Sequence, residues 1–184
     1  MNHFYGSIEG WFDWEDIYSR MINKLPEGAK LLEIGVYKGK SASYLMTELF
    51  NSGRKMDLYF CDLWNVDGQG YKTDWNTYNN FLDNTDFIRK LLIDQGCRIN
   101  ILKADSQVVY KDYPDGFFDF IFIDGGHLYE QVKADIINWK PKVKKGGIMA
   151  GHDYSPTWAG YVVRAVTEEF PEHKQLNNSW IANV

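Results

Sequence analysis

The chain has 184 residues, a formal net charge of -5 and two cysteines. That length suits one domain with a substantial core and leaves little room for a second catalytic domain. The acidic balance, with no Lys/Arg block, argues against a nucleic acid or an anionic membrane as main partner and favours a small-molecule one.

Met1 to Trp14 carries acids and aromatics rather than a basic stretch followed by an apolar one, and no apolar run approaches the roughly 18 residues that span a bilayer. A soluble, cytoplasmic protein is expected, with Cys61 and Cys97 as reduced thiols. Trp14, Ile17, Tyr18, Met21 and Leu25 recur at helical spacing, so residues 1–25 are expected to form an aromatic segment and a helix, serving as cap or interface. Residues 26–184 are expected to form one domain. Within it, five short apolar runs predict buried strands: Lys30 to Gly35, Asp57 to Asp62, Arg98 to Lys103, Phe118 to Asp124 and Gly147 to Gly151.

Helical periodicity predicts helices over Ser41 to Phe50, Leu128 to Trp139 and Trp158 to Phe170, the last stopped by Pro171. Lys174 to Leu176 and Ser179 to Val184, parted by Asn177 and Asn178, predict a hairpin. The expected fold class is α/β, Rossmann-like: a mostly parallel seven-stranded sheet with helices on both faces and a C-terminal antiparallel hairpin. Trp64 to Asn80 is polar and carries Trp64, Tyr71, Trp75 and Tyr78. Following a strand's C-terminal end, it is expected to wall or cover the ligand edge, or else to pack its rings on the neighbouring helix.

Ligands of open parallel sheets bind outside the C-terminal strand ends. The first strand runs into Glu33, Ile34, Gly35, Val36, Tyr37, Lys38, Gly39, Lys40 and Ser41. Only three residues separate Gly35 from Gly39, which excludes a phosphate-cradling P-loop, and Tyr37 stands at the second glycine of the dinucleotide fingerprint. What remains is Glu33 facing the turn, suited to a cationic ligand group, Asp62 ending the second strand, suited to ribose hydroxyls, and Asp105 and Ser106 after the third, suited to an adenine edge. Asp124, His127, His152 and Asp153 gather after the fourth and fifth strands. For His127 the alternative is a helix N-cap, and for His152 and Asp153 a loop held by its own side chains.

With Ile123-Asp124-Gly125-Gly126-His127-x-Tyr129-Glu130 and Gly151-His152-Asp153-Tyr154, residues 31–184 resemble the class I S-adenosylmethionine-dependent methyltransferases, in the small-molecule O-methyltransferase branch that includes macrolide-sugar enzymes. The resemblance implies S-adenosyl-L-methionine as cofactor, with Glu33, Gly35, Val36, Tyr37, Gly39 and Ser41 at its methionine end, Asp62 at the ribose, Asp105 and Ser106 at the adenine, and Asp124 bordering it. It further implies Mg²⁺ or Mn²⁺ on Asp124 and Asp153, with His152 where that branch has a third carboxylate, and His127 as base acting with Asp124 on a sugar or hydroxylated metabolite. Histidine there weakens the preference for Mg²⁺. Tyr37 departs from the branch's first motif, which has glycine at that position. No D/N-P-P-Y/F/W run for exocyclic amines follows the fourth strand, so an oxygen acceptor is expected. The alternative is a non-catalytic cofactor-binding or interaction module on the same fold, with Trp11, Phe12 and Trp14 forming an exposed patch.

Overall fold

The run Phe118–Ile123, sequence FDFIFI, is buried at every position. Continuous apolar character is what a strand covered on both faces requires. In the computed structural model, which describes residues 1–64, 76–157 and 159–184, this run becomes a central strand, β4. Its companions are β1 (Lys30–Ile34), β2 (Asp57–Asp62), β3 (Arg98–Lys103), β5 (Val143–Gly151), β6 (Lys174–Leu176) and β7 (Ser179–Asn183). The sheet order is β3-β2-β1-β4-β5-β7-β6. β1 to β5 pair in parallel, while β7 runs antiparallel to β5 and β6 antiparallel to β7. Strand order reverses between β1 and β4, where open α/β sheets place their ligands.

The helices are α1 (Glu15–Lys24), α2 (Lys40–Ser52), α3 (Thr77–Gln95), the single turn α4 (Ser106–Val109), α5 (Tyr129–Trp139) and α6 (Gly160–Glu169). Alternation along β4 sends Phe120 and Phe122 to one core, with Tyr18 of α1, Leu45 of α2 and Phe81 of α3. It sends Ile121 and Ile123 to the other, with Val132 and Ile136 of α5 and Val162 of α6. No helix among the described residues is long and apolar enough to cross a membrane. Both cysteines are free and buried.

The sequence expectation missed α3, although Phe81, Thr85, Ile88 and Leu92 bury one of its faces at helical spacing. β5 begins four residues earlier than its apolar run because its register shifts against β4: Val143 pairs with Phe118, yet Ile148 pairs with Phe120. The helix expected from Trp158 begins at Gly160, and Trp158, Tyr71 and Trp75 lie outside the described residues. Of the expected apolar patch, Trp14 is 2% exposed and stacked on Phe122, Phe12 is half-buried, and Trp11 alone is open, at 84%. The patch does not form, because sheet and α1 absorb two of its three rings.

Gly35 ends β1 at φ 84°, and a Cβ built there would lie 1.9 Å from the carbonyl oxygen of Asp124. The two backbones are also tied by the Asp124 N–H donating to the Ile34 carbonyl at 2.7 Å. Gly35→Ala should therefore cost at least about 2 kcal/mol, from the left-handed strain and the enforced separation of the loops. Chemical denaturation checks this, and a variant as stable as the parent would contradict the contact.

Candidate functional site

The C-terminal strand ends open on a cleft of about 1360 Å³. Ligand pockets commonly enclose roughly 300–1,000 Å³, so this cleft is at the large end for one. Gly35, Val36, Tyr37, Ser41, Asp62, Asp105, Ser106, Asp124, His127, His152 and Asp153 all line it. Glu33 and Gly39, expected at the ligand, do not. Gly39 instead caps α2 in the left-handed conformation, and a Cβ there would lie 2.9 Å from the Phe81 ring, so its bareness serves the α2–α3 contact.

Glu33 is buried under the turn, where one carboxylate oxygen accepts from Ser41, a residue that does face the cleft. The other oxygen, together with the Tyr18 hydroxyl and the Trp14 indole N–H, is enclosed without a hydrogen bond of regular geometry. Burial raises the Glu33 pKa to about 8, opposed by Ser41 and reinforced by the charge of Asp124. A neutral acid with an orphaned oxygen suits a cationic ligand above it, which would favour ionisation.

Asp62 clamps the turn. One of its oxygens accepts the Val36 and Tyr37 N–H groups at 2.8 and 2.9 Å, and the other accepts the Trp64 N–H at 2.8 Å. A carboxylate oxygen has two acceptor positions, so among the described residues one position on the second oxygen is not taken. Tyr37 adopts φ 47°, the conformation that glycine would take at no cost. It is held there by that clamp and by its carbonyl accepting from the Trp64 indole at 2.7 Å. At the third strand end, Asp105 caps α4 through the Gln107 N–H, and the Ser106 hydroxyl donates to Asp135 at 2.7 Å. Asp135, on the buried face of α5, also lines the cleft, and burial raises its pKa to about 6 against the pull of Ser106.

Across Gly35 lies the second half. His127 Nε2 is 2.5 Å from one oxygen of Asp153, and His152 Nδ1 is 3.1 Å from the other and 3.5 Å from Asp124. His127 is therefore not an N-cap, a position that Leu128 takes. Asp153 sits at φ 58°. Burial pulls His152 down, but hydrogen bonding and charge from Asp124 and Asp153 outweigh it and hold its imidazole at about 10. The same contacts overcome burial at Asp153 and keep it well below the usual carboxylate range. Burial raises Asp124, with His152 opposing, and Asp153 raises His127. One atom from each of Asp124, His152 and Asp153 falls within 4.8 Å of the others. Ligands bound at about 2.1 Å in neighbouring octahedral positions stand about 3 Å apart, and the His152 Nδ1 contacts at 3.1 and 3.5 Å are near that spacing, so small side-chain adjustments would let these three residues hold one divalent ion.

Residues 32–154 match the family model described as a methyltransferase domain. The chain belongs to that family. A 53-residue stretch is 34% identical to the uncharacterized protein y4gI of Sinorhizobium fredii, spanning 29% of this chain but 6% of that protein's length. Among solved structures, the O-methyltransferase NovP shares the fold with TM-score 0.63 and 17% identity over 92% of this chain and 78% of its own. A putative rRNA-methylase from Clostridium thermocellum gives 0.63 and 13% over 96% and 100%. The MycE methyltransferase of the mycinamycin biosynthetic pathway, solved with Mg and SAH, gives 0.56 and 16% over 94% and 50%. At these identities the likeness shows a shared Rossmann-like fold.

In this methyltransferase domain the sequence reading overlooked Asp13, Gln131, Asp135 and Asn178, all of which line the cleft. An acid among the apolar positions of α5 was a readable signal for Asp135. Asp13 carried none, since only the fold sets it against His152.

The sign of the Glu33 effect can be measured. Its folded carboxyl holds a proton more tightly than the unfolded one, so its contribution is complete below its ordinary value of 4.5 and is lost as pH rises through about 8. Between about pH 5 and 8 the ligand-free protein should lose this share of its melting temperature, and Glu33→Gln should flatten that loss. An unchanged slope in the variant would place Glu33 elsewhere.

Proposed function

We propose that this protein is an S-adenosylmethionine-dependent O-methyltransferase acting, with a divalent ion, on a hydroxyl of a small molecule such as a sugar. The observation that carries the reading is one cleft, at the strand-order switch, that brings the Asp62, Asp105 and Ser106 ends within one cavity of the Asp124, His127 and Asp153 cluster. Family membership supports the methyl-transfer chemistry. The fold alone is shared with a putative rRNA-methylase, so the choice of a small acceptor rests on the acidic charge and on the metal-type cluster.

The cofactor's sulfonium supplies an electrophilic methyl group for in-line displacement by an oxygen held about 3 Å away. Ser41, above Glu33, would border its cationic end, the free position on Asp62 would accept from a ribose hydroxyl, and Ser106 with Asp135 would border the adenine. Asp124, His152 and Asp153 would hold the ion, whose charge lowers the pKa of a bound hydroxyl. His127, 43% exposed at its side chain, is held by Asp153 through Nε2 in the metal-free protein. Released as Asp153 takes up the ion, its neutral imidazole would accept the proton of the hydroxyl. MycE was solved with Mg and SAH, which supports the pairing of ion and cofactor on this fold. The interaction-module reading loses ground with the burial of Trp14 and Phe12.

His127→Ala should lower turnover by about 10²-fold or more while S-adenosylhomocysteine affinity by calorimetry stays nearly constant. Full turnover on an accepted substrate would remove His127 as base. Asp62→Ala should weaken S-adenosylhomocysteine at least about tenfold, the loss of a charged hydrogen bond plus a loosened turn. Undiminished affinity would overturn the ribose assignment.

A further inference from the structure

Residues 9–14 cross the open strand ends as a strap. Glu9 binds the Lys38 ammonium at 2.8 Å, and the Gly10 carbonyl accepts from Lys40 at 3.0 Å, so one end is fastened to the cofactor turn. The other end reaches the metal-type cluster. There Asp13 Oδ1 lies 2.8 Å from His152 Nε2, and Asp13 Oδ2 accepts from Asn178 at 3.0 Å. Asn178 is at the tip of the β6–β7 hairpin, so two chain segments far apart in sequence converge to set one carboxylate. The Trp14 ring, 4.4 Å from that of His152, closes another side.

A carboxylate can only accept, so Asp13 keeps a proton on Nε2. An ion on Asp124 and Asp153 would then take the place of the Nδ1 proton that these carboxylates face in the metal-free protein, leaving Nδ1 as the ligating atom. Carboxylate–histidine–metal arrangements of this kind fix tautomer and ring angle and raise the basicity of the ligating nitrogen. Imidazole favours transition ions over Mg²⁺, a gain that an unoriented ring would forfeit. We infer that Asp13 is a positioning residue: through His152 Nε2 it aims Nδ1 at the Asp124–Asp153 pair and so gives the site its preference for a transition ion such as Mn²⁺ over Mg²⁺. The inference rests on the metal-assisted reading above and deepens it by assigning the ion class and the residue that sets it.

The test titrates the metal-stripped full-length chain with Mn²⁺ and, separately, Mg²⁺ by calorimetry, and records the visible spectrum of the Co²⁺-loaded protein. The wild type should bind Mn²⁺ more tightly than Mg²⁺. Asp13→Ala should lose about 10–100-fold in Mn²⁺ affinity with a smaller loss for Mg²⁺, so that the ratio of the two falls, and the Co²⁺ bands should shift. Asp13→Asn, which keeps an acceptor oxygen for Nε2–H, should recover most of the ratio. If Asp13→Ala fails to fold, Asn178→Ala removes the second anchor of the same carboxylate and should lower the ratio in the same direction. An unchanged ratio and spectrum in Asp13→Ala, an Asn variant no better than Ala, or a wild type that binds no divalent ion would each overturn the inference. S-adenosylhomocysteine binding to the metal-free wild type is read separately: if it is retained while metal binding fails, this inference falls and the methyltransferase reading stands.

Discussion

Everything proposed for the cleft depends on one backbone contact, that of Gly35 against the carbonyl of Asp124. β1 and β4 are neighbours, and their C-terminal turns leave the sheet side by side with no side chain between them. A methyl group at position 35 would push apart the loop that carries Val36 to Ser41 and the loop that carries Asp124 to His127. Methyl transfer tolerates little slack between donor and acceptor, since positioning supplies much of the acceleration. A bare residue at this junction keeps the cofactor half and the chemistry half in register.

Around that junction the chain accepts local strain. Tyr37, Trp64 and Asp153 are non-glycine residues at φ 47°, 48° and 58°, and all three line the cleft. The fourth such residue among the described ones, Asn177, is in a two-residue hairpin turn that ordinarily demands this conformation. Strained residues persist where their surroundings over-determine them. Asp62 and the Trp64 indole do this for Tyr37, and two histidines grip Asp153. The N-terminal strap then joins the halves a second time, from Lys38 on one side to His152 on the other. Of its rings, Trp14 is spent on the core, stacked on Phe122, while Trp11 stays open.

Much of the fold was legible because the parallel strands carry short, mainly apolar segments between helical stretches, and β2 and β3 match their expected bounds. The α3 helix escaped because it follows a polar insertion and buries a threonine among its apolar residues, which blurs its periodicity. The strand-end acids Asp62 and Asp124 were legible because an acid after buried residues demands a partner, and exposed Asp105 by its place after the third strand. Glu33 was legible as buried and acidic, but whether it faces ligand or core depends on how Ser41 and Tyr18 close over it. Gly39 reads the same whether it makes room for a ligand or for Phe81. The Asp13 to His152 contact spans 139 residues, and no local pattern encodes it.

The proposed adenosyl ligand and divalent ion share one cleft, on either side of Gly35. A crystal structure of the protein with S-adenosylhomocysteine and Mn²⁺ tests it most directly. The ribose should lie against Asp62, the adenine by Ser106 and Asp135, and the ion on Asp124, His152 and Asp153, with the sulfur directed toward the ion. An adenosyl ligand lodged away from these strand ends, or an ion bound on another surface, would contradict it.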